Sequence, residues 1–362
     1  MQALILVGGE GTRLRPLTLT VPKPVLPLVD RPSISYMIEW LARHGVDDIV
    51  MACGFLAAGV RAVLGEGGGG GPRLRYVEEP EARGTAGAIR FAERFLDERF
   101  LALNGDVLTD LDLSALIELH EQRGGVATLA LHPVEDPSSY GLVRRKWDGE
   151  ILEFVEKPDP EQIDTDEISA GAYVLERSVL DLIPEGREVS IEREVFPKLV
   201  GAGLYGLRLP GYWIDIGTPE RYLQATWDIL ERRVDTEAGK RIDDTGTMVE
   251  GDAEIDARAA VEPPAFVESR VSAATGARLG PLAVVGPGCE IAKGARIEGS
   301  VLHRGCRIGP GARVASAILA AGVELGSEAS IAQGAVVGEG ARIADGAQVP
   351  EADRIEPAAT VG

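Results

Sequence analysis

Up to about residue 227 the chain alternates short aliphatic runs with stretches of helical periodicity. Residues 3–7, 49–52, 74–77 and 100–103 are apolar runs of strand length, and residues 34–43 and 86–95 space their apolar side chains as a helix does. Strand, helix, strand in repetition predicts an α/β fold, a Rossmann-like doubly wound and mostly parallel sheet. Such sheets bind ligands beyond the carboxyl ends of their strands, where residues 8–13 and 104–106 would emerge as loops. The glycine run at residues 67–71 has no side chains to pack and predicts a surface loop.

The polar stretch 231–246 begins with a helical pattern and then loses it, which places a junction there. The predicted organisation is a sheet domain over 1–232, a linker over 233–246 and a second domain over 247–362. In the second domain small aliphatic residues recur six apart, at Val249, Ile255, Val261, Val267, Ala273, Leu279, Val285, Ile291 and Ile297. The register runs on through Leu302 and Leu319, each reached by a five-residue step, and in steps of six through Ile308, Val314, Leu325, Ile331, Val337, Ile343, Val349 and Ile355. A period of six fits neither a helix nor a hairpin array. It predicts a C-terminal left-handed parallel β-helix, with one inward aliphatic residue per flat face and glycines at the corners. Three such positions per turn give roughly six stacked turns. A disordered Gly/Ala-rich tail would not hold that register.

Charge narrows the partners. A net charge of -20 repels polyanions, so neither nucleic acid nor an anionic membrane surface is an expected partner, and any phosphate must be gripped locally. The three cysteines, Cys53, Cys289 and Cys306, lie far apart and are odd in number, which predicts reduced thiols in a cytoplasmic protein. The opening apolar run carries no basic leader and reads as a buried strand, and no stretch approaches the roughly 20 apolar residues of a membrane span.

The candidate chemistry begins directly after the first strand, at Gly8-Gly9-Glu10-Gly11-Thr12-Arg13-Leu14-Arg15-Pro16-Leu17-Thr18, followed by Pro22-Lys23-Pro24. Glycines let backbone N–H groups approach a polyphosphate, and Arg13 and Lys23 supply the positive charge that the chain as a whole lacks. Prolines on both sides of Lys23 restrict its backbone and help aim its side chain.

This pattern resembles the sugar nucleotidyltransferase family, whose signature is GGxGTRLxPLT followed by PKP. The resemblance implies a nucleoside triphosphate bound by Leu6, Gly8, Gly9, Gly11, Thr12 and Arg13, with Arg13 and Lys23 on the phosphates around the scissile bond. It further implies that Asp106 after Gly105, and Asp215 in Trp213-Ile214-Asp215-Ile216-Gly217, ligate Mg2+. Two carboxylates suffice for an ion that prefers oxygen ligands and keeps several waters. An aspartate at a strand end can otherwise serve as a turn or helix cap. Glu156-Lys157-Pro158 resembles the family's EKP motif, with Lys157 on the phosphate of a hexose 1-phosphate and Glu156 on its hydroxyls. Gly141 matches a YG turn near the sugar, and Ser169 with Gly171 stands where the family usually has Asn-Ala-Gly. Serine offers one hydroxyl in place of an amide, which weakens inference about the hexose.

In the segment from Val77 to Gly87, the GTAG tetrad that begins at Gly84 and Thr85, with the helix that follows it, looks most like GDP-mannose pyrophosphorylases. Guanine presents two donors that a carboxylate accepts, whereas uracil or thymine suits an amide. Glu79 therefore points to GTP, and the resemblance implies mannose 1-phosphate as the other substrate; thymidylyl or uridylyl transfer onto glucose 1-phosphate is the alternative. Two further readings stand beside it. A non-catalytic regulatory subunit is opposed by the intact Gly11, Arg13, Lys23, Asp106, Lys157 and Asp215, and acyl transfer by the β-helix would rest on His303 alone. The flat faces of a β-helix make homo-oligomerisation its expected task.

Overall fold

The computed structural model describes residues 1–54 and 56–362. The chain forms two compact units that interleave in sequence: Met1–Glu10 with Ile34–Trp213, and Gly11–Ser33 with Ile214–Gly362.

The first unit is a nine-stranded sheet. Its strands are β1 (Gln2–Val7), β2 (Asp48–Cys53), β3 (Arg73–Glu78), β4 (Arg99–Asn104), β5 (Ala127–Pro133), β6 (Gly141–Arg145), β7 (Ile151–Glu156), β8 (Glu167–Glu176) and β9 (Leu204–Arg208). In space they run β7-β6-β8-β4-β1-β2-β3, with β5 pairing β8 and β9. The half formed by β3, β2, β1 and β4 is parallel, as the strand-helix alternation predicts. From β5 onward antiparallel pairing enters, because the links shorten: only residues 146–150 join β6 to β7, far too few for a crossover helix. The core of this sheet is apolar, with Leu4, Val50, Phe100, Ala102, Leu129 and Leu175 all buried.

Two features place the strand ends. Val7, Cys53 and Glu78 stand in register at the carboxyl ends of β1, β2 and β3. In β8 the register slips between Ser169 and Tyr173 around Gly171, whose φ is +72°. Such a bulge redirects side chains, and here it lets Gly171 back onto Asn104, where a Cβ would come within 2.9 Å of Nδ2.

The second unit carries the β-helix, three parallel sheets of seven, seven and six short strands. Every hexad position named above stacks on its counterpart one coil away, and Val361 extends the second column. The five-residue steps fall at one corner in successive coils, so Val285, Leu302 and Leu319 stay in register although those coils are one residue shorter. Gly299 and Ser316 turn that corner with φ of +57° and +46°. Each fully buried Val, Leu or Ile contributes roughly 1.5–3 kcal/mol, and the column repeats it coil after coil.

The three outer faces differ. One alternates Glu290, Arg307, Glu324 and Arg342 in adjacent coils, and Arg307 and Arg342 each pair with Glu324, at 3.1 and 3.3 Å. Another exposes Arg278, Arg296 and Arg313. On the third the outward residues Phe266, Val284, Val301, Ile318 and Val336 are as buried as the core. The helix Pro219–Leu230 lies on that side: Trp227 Nε1 donates to the Gly299 carbonyl, and Tyr222 meets His303.

Candidate active site

The nucleotide side of the first unit is built from close backbone approaches. Gly8 follows β1, and a Cβ there would lie 3.5 Å from the Glu79 carboxylate. Glu79 itself is fixed by its N–H donating to the Cys53 carbonyl at 2.8 Å, so the carboxylate stands at the ends of three neighbouring strands. Burial pushes its pKa up to about 7, partly offset by the charge and N–H of Arg83. Beside β4, Gly105 donates to the Leu6 carbonyl at 3.0 Å. A Cβ at Gly105 would sit 2.6 Å from Val7 Cγ1 and 2.7 Å from that carbonyl, so only glycine allows the chain to pass and deliver Asp106.

The sugar side uses the bulge and the β6–β7 hairpin. Gly141 faces Glu156 in register, and a Cβ there would strike Phe154 at 2.5 Å and the Glu156 carboxylate at 3.0 Å. Glu156 is half-buried and its pKa is raised, first by desolvation and then by repulsion from Glu192, with Arg193 and Lys157 opposing. Lys157 adopts a φ of +53°, unusual for a residue with a Cβ, and its N–H donates to the Tyr140 carbonyl at 3.1 Å. That left-handed turn costs roughly 1–2 kcal/mol and swings the exposed lysine off the strand before Pro158. The Trp213 indole N–H donates to the Ala170 carbonyl at 2.9 Å, and its ring meets Tyr140 edge-on at 5.3 Å.

Glu192 was not among the residues singled out in the sequence, yet it gathers several that were. Its carboxylate accepts from Thr85 Oγ1 and Ser190 Oγ, both at 2.9 Å, and from the Tyr173 hydroxyl at 3.3 Å, which in turn lies 3.4 Å from Ser169 Oγ. The Thr85 hydroxyl also accepts from the Ile191 N–H at 2.8 Å. Thr85, together with the Ala86 N–H on the Val189 carbonyl at 2.9 Å, therefore fastens the segment after Val189 to the helix that starts at Gly84. The one sequence signal for Glu192 was its place in Ser190-Ile191-Glu192-Arg193, which carries no spacing rule of its own.

The second unit holds Gly11, Thr12, Arg13, Lys23 and Asp215. Gly11 turns with φ +62°, and a Cβ there would come within 3.1 Å of Lys23 Cβ, so the glycine turn and the lysine are neighbours. The Thr18 hydroxyl donates to the Gly11 carbonyl at 2.8 Å and locks the loop. Gly217 borders both Arg13 and Asp215: a Cβ there would lie 2.5 Å from the Arg13 guanidinium and 2.7 Å from Asp215 Oδ1. Asp215 accepts from the Gly217 N–H at 2.7 Å and from Arg221 at 3.0 Å.

After Lys23 the chain makes a small hairpin, pairing Pro27–Leu28 with Arg31–Pro32. Its carbonyls are held from two sides, that of Pro24 by the Ser33 hydroxyl at 3.0 Å and that of Pro27 by the Tyr222 hydroxyl, which also lies 3.1 Å from His303 Nε2. Burial depresses the His303 pKa to about 4, so the ring is neutral and can donate to Tyr222. Tyr222→Phe removes the hydroxyl and leaves the buried His303 and the half-buried Pro27 carbonyl without this partner, at about 1–3 kcal/mol for the buried group. Its expected result is a clear drop in denaturant midpoint at unchanged m-value; an unaltered midpoint would contradict this reading of the contact. His303 is thus a structural group within a packed interior.

The oxygen-rich character of the donor set bears on the metal. Among the described residues no cluster of three or more His, Cys, Asp or Glu has metal-holding geometry, so no closed zinc-type site exists there. Asp106 and Asp215 offer carboxylate oxygens, the ligand type that Mg2+ prefers alongside phosphate oxygens and water. The three cysteines are free and buried. No helix of the described residues is long and apolar enough to cross a membrane.

The first unit carries Glu79 and Gly105 at its strand ends and the EKP turn after β7, the second carries the Gly11 turn with Arg13 and Lys23, and these are the motifs of a sugar-1-phosphate nucleotidyltransferase. The sequence pattern of the Nucleotidyl transferase family matches residues 2–232, and that of the GMPPB C-terminal domain matches residues 246–361. The chain belongs to the nucleotidyl transferase family. It is 36% identical to a mannose-1-phosphate guanylyltransferase of Mycobacterium tuberculosis over 83% of this chain and 79% of that protein. It is 33% identical to a UTP–glucose-1-phosphate uridylyltransferase of Synechocystis over 83% of this chain and 82% of that one. Among solved structures, HddC from Yersinia pseudotuberculosis complexed with GMP-PN aligns with a TM-score of 0.54 at 28% identity, covering 62% of this chain and 97% of that one.

Proposed function

We propose that this enzyme joins mannose 1-phosphate to GTP, giving GDP-mannose and pyrophosphate. The observation that carries the base assignment is the Glu79 carboxylate beside Gly8 at the ends of β1, β2 and β3, where it can accept from the N1–H and exocyclic amine of guanine. Relatives named as mannose-1-phosphate guanylyltransferases and a neighbour holding a guanine nucleotide support the same choice. Transfer of a uridylyl group onto glucose 1-phosphate is the second reading, favoured by the Synechocystis relative.

In the reaction an oxygen of the sugar phosphate attacks the α-phosphorus. The bond from that phosphorus to the bridging oxygen breaks, and pyrophosphate leaves with the electron pair. The attacking oxygen is already ionised near neutral pH, so the protein supplies position and charge rather than a base. Lys157 orients the sugar phosphate, Glu156 and Ser169 meet its hydroxyls, and Arg13 with Lys23 neutralise the departing pyrophosphate. Asp106 and Asp215 would hold Mg2+, which would screen phosphate charge and align the phosphates. The β-helix serves self-association, and the free, buried thiols fit a cytoplasmic setting.

A matrix of GTP, UTP and dTTP against mannose, glucose and N-acetylglucosamine 1-phosphates, scored by pyrophosphate release, tests the reading; a higher kcat/KM for UTP with glucose 1-phosphate would replace it. The pH dependence is a sharper check on Glu79. Its pKa of about 7 means that the accepting carboxylate is lost as pH falls through neutrality, so the KM for GTP is expected to rise up to tenfold per unit below pH 7. Glu79→Gln is expected to remove that slope and move preference towards UTP. A slope that survives the substitution would assign it to another group.

A further inference from the structure

One flat face of the β-helix is apolar and carries the helix Pro219–Leu230. The other two are open. One of these stacks Arg278, Arg296 and Arg313 in consecutive coils, all three exposed. The other presents Ser272, Glu290, Arg307, Glu324, Arg342 and Thr360 outward in a single row, one to a coil. Neighbouring coils lie about 4.8 Å apart, so the row is about 24 Å long.

The alternation of charge in that row is not a demand of the fold, because the arginine face stacks three like charges at the same spacing. Within the chain Arg307 lies 3.9 Å from Glu290 and 3.1 Å from Glu324, and Arg342 lies 3.3 Å from Glu324. These contacts leave the side chains in water: Glu290 is 66% exposed, Arg307 64% and Arg342 68%. Ion pairs so exposed are weak, which leaves the row free to pair again across an interface.

We propose that this row is the surface on which two copies of the chain associate, antiparallel, about a two-fold axis between Arg307 and Glu324. That axis sets Arg307 opposite Glu324 of the partner subunit, Glu290 opposite Arg342 of the partner subunit and Ser272 opposite Thr360 of the partner subunit, and each pair occurs twice. Every charge in the overlap then meets its opposite. An axis through either coil would set Arg307 or Glu324 against its own copy, and an axis one coil away would leave Glu324 opposite Ser272 or Arg307 opposite Thr360. The arginine face is unsuited, since a two-fold axis through its middle lays arginine on arginine. The inference rests on the self-association read for the β-helix above, and adds its face and register. The face is narrow, which makes the dimer a weak one that dilution separates.

Sedimentation velocity of the full chain over a concentration series tests it. The parent is expected to dimerise, and Arg307→Glu or Glu324→Arg alone to weaken self-association at least about tenfold, because each sets two like-charged pairs across the axis. An equimolar mixture of the two single variants is expected to dimerise as the parent does, since every facing pair of charges is again opposite; no change within one chain produces that result. Both positions lie at the surface and outside the catalytic motifs, so turnover and melting serve as folding controls. Should a single variant fail to fold, the double variant Arg307→Glu/Glu324→Arg, in which the exchanged charges still face one another, is expected to dimerise, and a monomeric double variant overturns the proposal. A parent dimer indifferent to both substitutions overturns the face and leaves self-association standing. A mixture that stays monomeric overturns the proposed axis, and a parent that is monomeric throughout overturns self-association as well.

Discussion

Asp106→Ala is expected to lower pyrophosphate release by roughly a thousandfold or more, which corresponds to about 4 kcal/mol of lost transition-state stabilisation. Both substrates are anions and the chain carries a net charge of -20, so nothing in the general field of the protein offsets their repulsion. A bound cation is the strongest local remedy, and Asp106 is one of its two proposed ligands. The fold should survive, because the close approach at this strand end is made by the Gly105 backbone against Leu6 and Val7 rather than by the aspartate. The assay is turnover at saturating Mg2+, with the melting curve as control. Near-normal turnover in a normally melting variant would remove Asp106 from the metal site.

The largest stability effect is expected from Val314→Asp. Val314 is 1% exposed and stacks between Ile297 and Ile331 in the interior of the β-helix. A carboxylate there has no cation to pair with, and burying it unpaired costs more than the few kcal/mol that most substitutions cost. Coils contact only their neighbours, so the damage spreads along the stack and the C-terminal transition is expected to broaden or vanish in urea unfolding. Arg313→Ala, one residue away on the exposed side of the same strand, should stay within about 0.5 kcal/mol of the parent. Comparable losses in the two variants would mean that the inward and outward positions have been exchanged.

That contrast marks how far the sequence could be read. The hexad register was legible because it is a local, repeating property, and even the two five-residue steps appear in the text without knowledge of the corner they turn. The apolar outer column from Phe266 to Val336 stands one residue before every third hexad position, but a single period of six reports the inward face and leaves the outward one unassigned. The candidate site was legible where its residues are consecutive: the glycine loop, PKP and EKP each state their own backbone demands, through positive φ, fixed prolines or a left-handed lysine.

What the sequence by itself determined is therefore the set of elements, the coil register and the short charged motifs to which phosphate contacts are here proposed. The tertiary structure alone decided which distant residues serve them. Glu192 joins Thr85 across 107 positions, and Tyr222 reaches Pro27 across 195. It also decided the antiparallel half of the sheet and the gathering of residues 11–33 with the C-terminal half of the chain. The physical reason is that a buried polar atom needs a partner but does not specify where in the sequence it comes from. Periodicity reports which face of an element is covered, and only packing reports what covers it.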